Sequence, residues 1–137
     1  MAVETSMDVL GVDHVDLTVN DLARSIPFYE KVLGALGFRR VPHATYVAWA
    51  NAHLAIVLRP AARAAAFDRY RVGLHHLALE AGSRQAVNER AEWLRAQGAE
   101  IESGPEAYWY QPGYYAVFFY DPDGIKLEIV HIPGLAA

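Results

Sequence analysis

Three side chains, His14, His76 and Glu128, are of types and at positions that could do chemistry together. Glu128 stands in "IKLEIVH" between Leu127 and Ile129, where a hydrophobic strand gains nothing from a charge. Successive side chains of a strand point to opposite faces. If Val15, Leu17 and Val19 pack on a core, His14 points away from it. By the same parity His76 points away from the core and His75 towards the helix layer with Leu77 and Leu79. Glu128 then shares its face with Lys126 and Val130, opposite to Leu127 and Ile129. Three donors from three strands are therefore expected on one cavity face. Two imidazoles and a carboxylate are the donor set of non-haem Fe2+, and equally suit Mn2+, Ni2+, Co2+ or Zn2+, with coordination positions left for substrate. A lone carboxylate in a strand wall is costly, and a bound divalent cation compensates it. The bland alternatives are a solvated Glu128 or one paired with Lys126. His43, His53 and His131 have no such partners in the pattern.

The elements that must position these residues occur twice. "GVDHVDLTVNDLARSIPFYEKVLGALGFRRV" and "GLHHLALEAGSRQAVNERAEWLRAQGAEI" each read as strand, helix and closing glycine. The first helix is expected to be capped by Asn20 or Asp21, with Pro27 kinking it or marking its true start. The second starts after Ser83, shows Val87, Ala91 and Leu94 on one face, and stops at Gly98. "ATYVAWA" and "HLAIVLRP" follow the first helix; "YYAVFFY" and "IKLEIVH", joined through "DPDG", follow the second. The fold expected is α+β: two βαβββ modules forming one curved eight-stranded mixed sheet around a cavity, helices outside. Residues 1–137 are read as one domain, with module one at about 8–60, a linker at 61–72 and module two at 73–132. The linker, "RPAARAAAFDRYRVG", is alanine-rich, without strand pattern and open to partial helix.

Composition narrows the partners. The chain is 53% hydrophobic and 20% charged with formal charge -4, so the basic footprint of a nucleic-acid binder is absent. There is no cysteine, which excludes disulfides, thiolate metal sites and a cysteine nucleophile. "MAVETSMDVLG" does not read as a leader and no apolar run is long enough to span a membrane, so the chain is expected in the cytoplasm with a small molecule as its partner.

"GVDHVDLTVNDLARSIPFYEKVLGALGF", "HHLALEA" and "FFYDPDGIKLEIVH" resemble the vicinal oxygen chelate superfamily of glyoxalases, bleomycin resistance proteins and dioxygenases. The resemblance covers nearly the whole chain; "FYEKVLG" and "DPDGIKLE", in that order, are its most telling motifs. It implies paired βαβββ modules, a divalent metal, a homodimer in many members, and ligands at the positions of His14, Val57, His76 and Glu128. Val57 departs from the pattern, since valine binds no metal, and with it goes the carboxylate that glyoxalases place there. The ring-cleaving dioxygenases of the family would carry tyrosine at Phe118 and histidine near Trp109, Tyr110 or Gln111; here Tyr115, Tyr120 and His53 are the substitutes for a proton donor. Val57, Tyr110 and Phe118 are expected to touch substrate, and "AYWYQPGYYAVFFY" could cover it as an aromatic lid. The activity implied is metal-dependent lyase, isomerase or dioxygenase chemistry on a small molecule with adjacent oxygens. The alternative is a non-catalytic binding protein of the bleomycin-resistance type.

Overall fold

The structure, a computed structural model, describes residues 9–134. The repeat seen in the sequence is repeated in space. Module one runs β1 (His14–Val19), α1 (Leu22–Ala35), β2 (Arg39–Val41), β3 (Val47–Ala50) and β4 (Ala55–Pro60). Module two runs β5 (Leu77–Glu80), α2 (Arg84–Ala96), β6 (Ile101–Ala107), β7 (Tyr115–Tyr120) and β8 (Lys126–His131). The eight strands hydrogen-bond as two four-stranded mixed sheets, β1-β4-β3-β2 and β5-β8-β7-β6, and the first strand of each module lies parallel to its last. Neither sheet closes, in keeping with the expected curved surface.

Local chemistry sets the helix limits. The Asp21 side chain accepts from Ala23 N at 3.0 Å and Ser83 Oγ accepts from Ala86 N at 3.0 Å, satisfying donors that a helix start leaves free. Helix α1 therefore begins at Leu22 and runs through Pro27 instead of starting there. Tyr29, Val32 and Leu33 of α1, and Val87, Ala91 and Leu94 of α2, are the buried stripes. Gly98, with φ +78°, takes the left-handed conformation that ends α2.

One hydrophobic cluster joins the modules: Leu17, Val19, Tyr29, Leu33, Trp49, Ile56 and Leu58 from the first meet Leu79, Val87, Leu94, Val117, Phe119, Leu127 and Ile129 from the second. The two motifs "FYEKVLG" and "DPDG" lock against each other across this boundary. Tyr29 Oη donates to Asp121 Oδ2 at 2.8 Å, while Asp121 Oδ1 accepts from Asp123 N and Ile125 N and shapes the turn. Asn20 and Arg24, at the start of α1, bind Asp123. A cavity of about 380 Å³ lies on this helix side, between Phe28, Lys31, Trp93 and Gln97, away from the outer sheet faces described next.

Three expectations are corrected. Residues 61–76 contain no helix. His75 does not join the helix layer; it is exposed and its Nδ1 lies 2.7 Å from His76 Nδ1, because the alternation begins only at Leu77. Lys126 pairs with Glu102 Oε2 at 2.8 Å and not with Glu128.

Candidate metal centre

The faces turned away from the shared core carry the polar residues, as parity requires. On module two, Ala116, Phe118 and Val130 form a small second cluster with Tyr108 and Tyr114. Glu128 lies in this layer with no solvent exposure at all. Its Oε1 is 3.0 Å from His76 Nε2 and its Oε2 accepts from Tyr114 Oη. Among the described residues no lysine or arginine pairs with it. A carboxylate removed from water needs charge compensation, and here it has one imidazole and one hydroxyl. Burial, then the hydrogen bond to Glu128, push the Tyr114 phenol well above its usual range, so it remains a donor. Tyr114 is set there by the turn of residues 108–114, where Tyr114 N donates to Gln111 O and Tyr108 N to Tyr114 O. The rings of Tyr108, Tyr110 and Tyr114 pack together, with centroids 5.0 to 6.3 Å apart, and Phe118 sits 6.1 Å from the His76 ring.

Beside this pair the linker is fastened to the sheet. Arg69 Nη1 and Lys126 Nζ both bind Glu102, and Tyr120 Oη donates to it. Burial raises the Glu102 pKa, but the hydrogen bonds from Lys126, Tyr120 and Arg69 outweigh it and bring it from 4.5 to about 2. The same contacts hold the Arg69 guanidinium charged.

Module one repeats the arrangement with different residues. His14 begins β1 with its side chain 56% exposed; Nδ1 is 2.8 Å from Asp13 Oδ2 and Nε2 is 3.5 Å from Asp16 Oδ1. Asp16 Oδ2 accepts from Arg59 Nε, and the Arg59 guanidinium stacks on Tyr46. Val57 is buried on β4 beside Asp16. Thus His76 and Glu128 come together while His14 stays in the other sheet. Among the described residues no three His, Cys, Asp or Glu side chains gather in a way that could hold a metal. Of the other residues singled out, Tyr110 and Phe118 flank the Glu128 layer. Tyr115 faces the helices and bonds Asn88, Tyr120 is committed to Glu102 and Arg69, and His53 sits in the exposed turn held by Asn51. Asp16 was not assigned from sequence, and Tyr114 was read there only as part of the aromatic cover, not as a partner of Glu128. Asp16 carried a usable signal, the same parity as His14; the hold of Tyr114 on Glu128 depends on how the 108–114 turn folds back.

Paired βαβββ modules, with histidine at the head of each module and glutamate on the last strand, define a vicinal-oxygen-chelate type of protein. The profile of the Glyoxalase/Bleomycin resistance protein/Dioxygenase superfamily matches residues 11–129, and the chain belongs to that superfamily. The uncharacterized Bacillus subtilis protein YqjT is 34% identical over 85% of this chain and 95% of its own. A 2-epi-5-epi-valiolone epimerase from Actinomyces is 31% identical over 91% of this chain and 81% of its own. A solved structure from Bacillus halodurans is 30% identical, covers 92% of this chain and 98% of its own, and superposes with a TM-score of 0.81. Among the described residues no helix is long and apolar enough to cross a membrane.

Proposed function

We propose that the protein is a divalent-metal-dependent enzyme acting on a small molecule with adjacent oxygens, its metal held by His76 and Glu128 together with His14 of a second copy of the chain. The observation that carries this reading is the fully buried Glu128, with His76 Nε2 at 3.0 Å and, among the described residues, no lysine or arginine paired with it. The pair fits a divalent ion: an imidazole nitrogen and a carboxylate oxygen lie side by side, and the other carboxylate oxygen is held by Tyr114. His14 fits only if another chain delivers it, since this chain keeps it in the other sheet. Two features support a second copy. β1 and β5 are both sheet edges, and exposed apolar residues precede each of them, Val9, Leu10 and Val12 before β1, Tyr70 and Val72 before β5.

When bound, the cation would supply Lewis acidity to a substrate oxygen. The chain's own residues do the rest. Tyr114 fixes Glu128, and Tyr108, Tyr110 and Phe118 form an apolar wall that orients the substrate and excludes water. Moving a proton at a carbon next to a carbonyl is favoured over ring cleavage. Phe118 offers no hydroxyl where a ring-cleaving enzyme of the superfamily would have one, and one relative is a 2-epi-5-epi-valiolone epimerase. The test is elemental analysis of protein purified without oxygen and reconstituted with Fe, Mn, Ni and Zn in competition. Wild type should retain near-stoichiometric metal, and Glu128→Ala should lose it. Wild type that holds none of the four sinks the reading.

A further inference from the structure

We infer that Asp16 is the carboxylate ligand of module one, standing in for the one that Val57 cannot provide. The inference rests on the metal reading above and extends it from three protein donors to four, two histidines and two carboxylates.

Three observations lead to it. The first is register. In module two, Ala78 of β5 lies opposite Glu128 of β8; in module one, Asp16 of β1 lies opposite Val57 of β4. Asp16 and Ala78 each come two residues after the histidine of their module, so the two ladders superpose rung for rung. On the matching rung each module has a single carboxylate, on the last strand in module two and on the first strand in module one. Adjacent parallel strands are only about 4.8 Å apart. A carboxylate moved across the rung can still reach the same space.

The second is the relation to the histidine. Asp16 Oδ1 faces His14 Nε2 at 3.5 Å, as Glu128 Oε1 faces His76 Nε2 at 3.0 Å. In both modules the nitrogen nearest the carboxylate is the one remote from the main chain.

The third is how the carboxylate is held. Each has one oxygen towards the histidine and the other gripped by a donor, Arg59 for Asp16 and Tyr114 for Glu128. Such outer donors orient a ligating carboxylate and leave one oxygen for the metal. The differences are consistent with a half-site open in the single chain: Asp16 is 30% exposed and Glu128 fully buried. Asp13, the other carboxylate at His14, is 95% exposed with its oxygen on Nδ1, and the matching position of module two is His75, which carries no carboxylate. The resulting ligand set is two imidazole nitrogens and two carboxylates, with the Arg59 guanidinium on the outer oxygen of Asp16.

The test uses Co2+ as the probe, because its visible spectrum reports the ligand set independently of turnover. Full-length wild type, Asp16→Asn, Glu128→Ala and the double variant Asp16→Ala with Val57→Glu are titrated with Co2+. The expected result is a loss of about tenfold or more in affinity and an altered d–d spectrum for Asp16→Asn, with affinity regained in the double variant, where the carboxylate returns to β4. Asp16→Asn that binds Co2+ with wild-type affinity and spectrum, while Glu128→Ala does not bind, overturns the role of Asp16 and leaves the metal reading standing. Wild type that binds no Co2+ overturns both.

Discussion

Glu128 is a carboxylate with two hydrogen bonds and no solvent exposure, so each of its partners matters more than an exposed one would. Removing one donor from a buried charged group costs about 1.5–3 kcal/mol of the interaction. Tyr114→Phe deletes only the hydroxyl that fixes Oε2 and keeps the ring that packs on Tyr108 and Tyr110. The expected outcome is metal affinity lowered by about tenfold or more, measured by Co2+ titration; unchanged affinity would mean that Tyr114 merely covers the carboxylate. At this scale the faces of His14 and Glu128 were legible, because both lie inside strands where alternation assigns a face from sequence alone. Asp16 obeys the same alternation, yet a family pattern that places the carboxylate on β4 drew attention to Val57 instead. His75 shows the limit of parity, which holds only inside a strand. His75 and His76 precede β5, and the two rings touch where alternation would have parted them.

At the scale of elements, the long segments with clear periods were legible and the short or irregular ones were not. β2 is three exposed residues, Arg39, Arg40 and Val41, with no alternation to see. β6 runs through Gly104 and Pro105, with two register shifts against β7, so its sequence resembles a turn. The alanines left the linker open to partial helix, but its course is set from outside by Asn20, which bonds Ala65, and by Arg69, whose bond to Glu102 ties it to β6 and β8. That tie has a pH signature. Glu102 has a pKa of about 2 in the fold against an ordinary 4.5, its hydrogen bonds to Lys126, Tyr120 and Arg69 prevailing over burial. A depressed carboxylate binds protons more readily in the unfolded chain. Its contribution is thus complete above about pH 4.5 and is lost as pH falls towards 2. Urea unfolding at a series of pH values should show Glu102→Gln less stable near neutrality and less steeply pH-dependent between those limits. Equal slopes for the two proteins would show that the cluster does not couple the linker to the sheet.

For the whole molecule the question is how two half-sites meet. Each module presents a histidine facing a carboxylate, His14 with Asp16 and His76 with Glu128, and one chain leaves the two pairs in separate sheets. A two-fold dimer solves this without changing either module. If module one of each chain lies against module two of its partner, one symmetry operation creates two equivalent sites. The exposed apolar residues before β1 and β5 would be covered by the same contact. Sequence could not decide this, because parity says which face a side chain occupies and nothing about which chain supplies the opposite face. Complementation can. His14→Ala and His76→Ala chains, carrying different tags, are coexpressed and the mixed dimer isolated through both tags. With sites shared between chains, one of its two sites keeps both histidines and the other loses both, so the mixed dimer should hold roughly half the metal of wild type. With sites confined to single chains, every site lacks a histidine and the mixed dimer should hold no more than either variant alone. Wild type that sediments as a monomer while binding metal stoichiometrically would also exclude the shared site, and would require the two sheets of one chain to turn towards each other on binding.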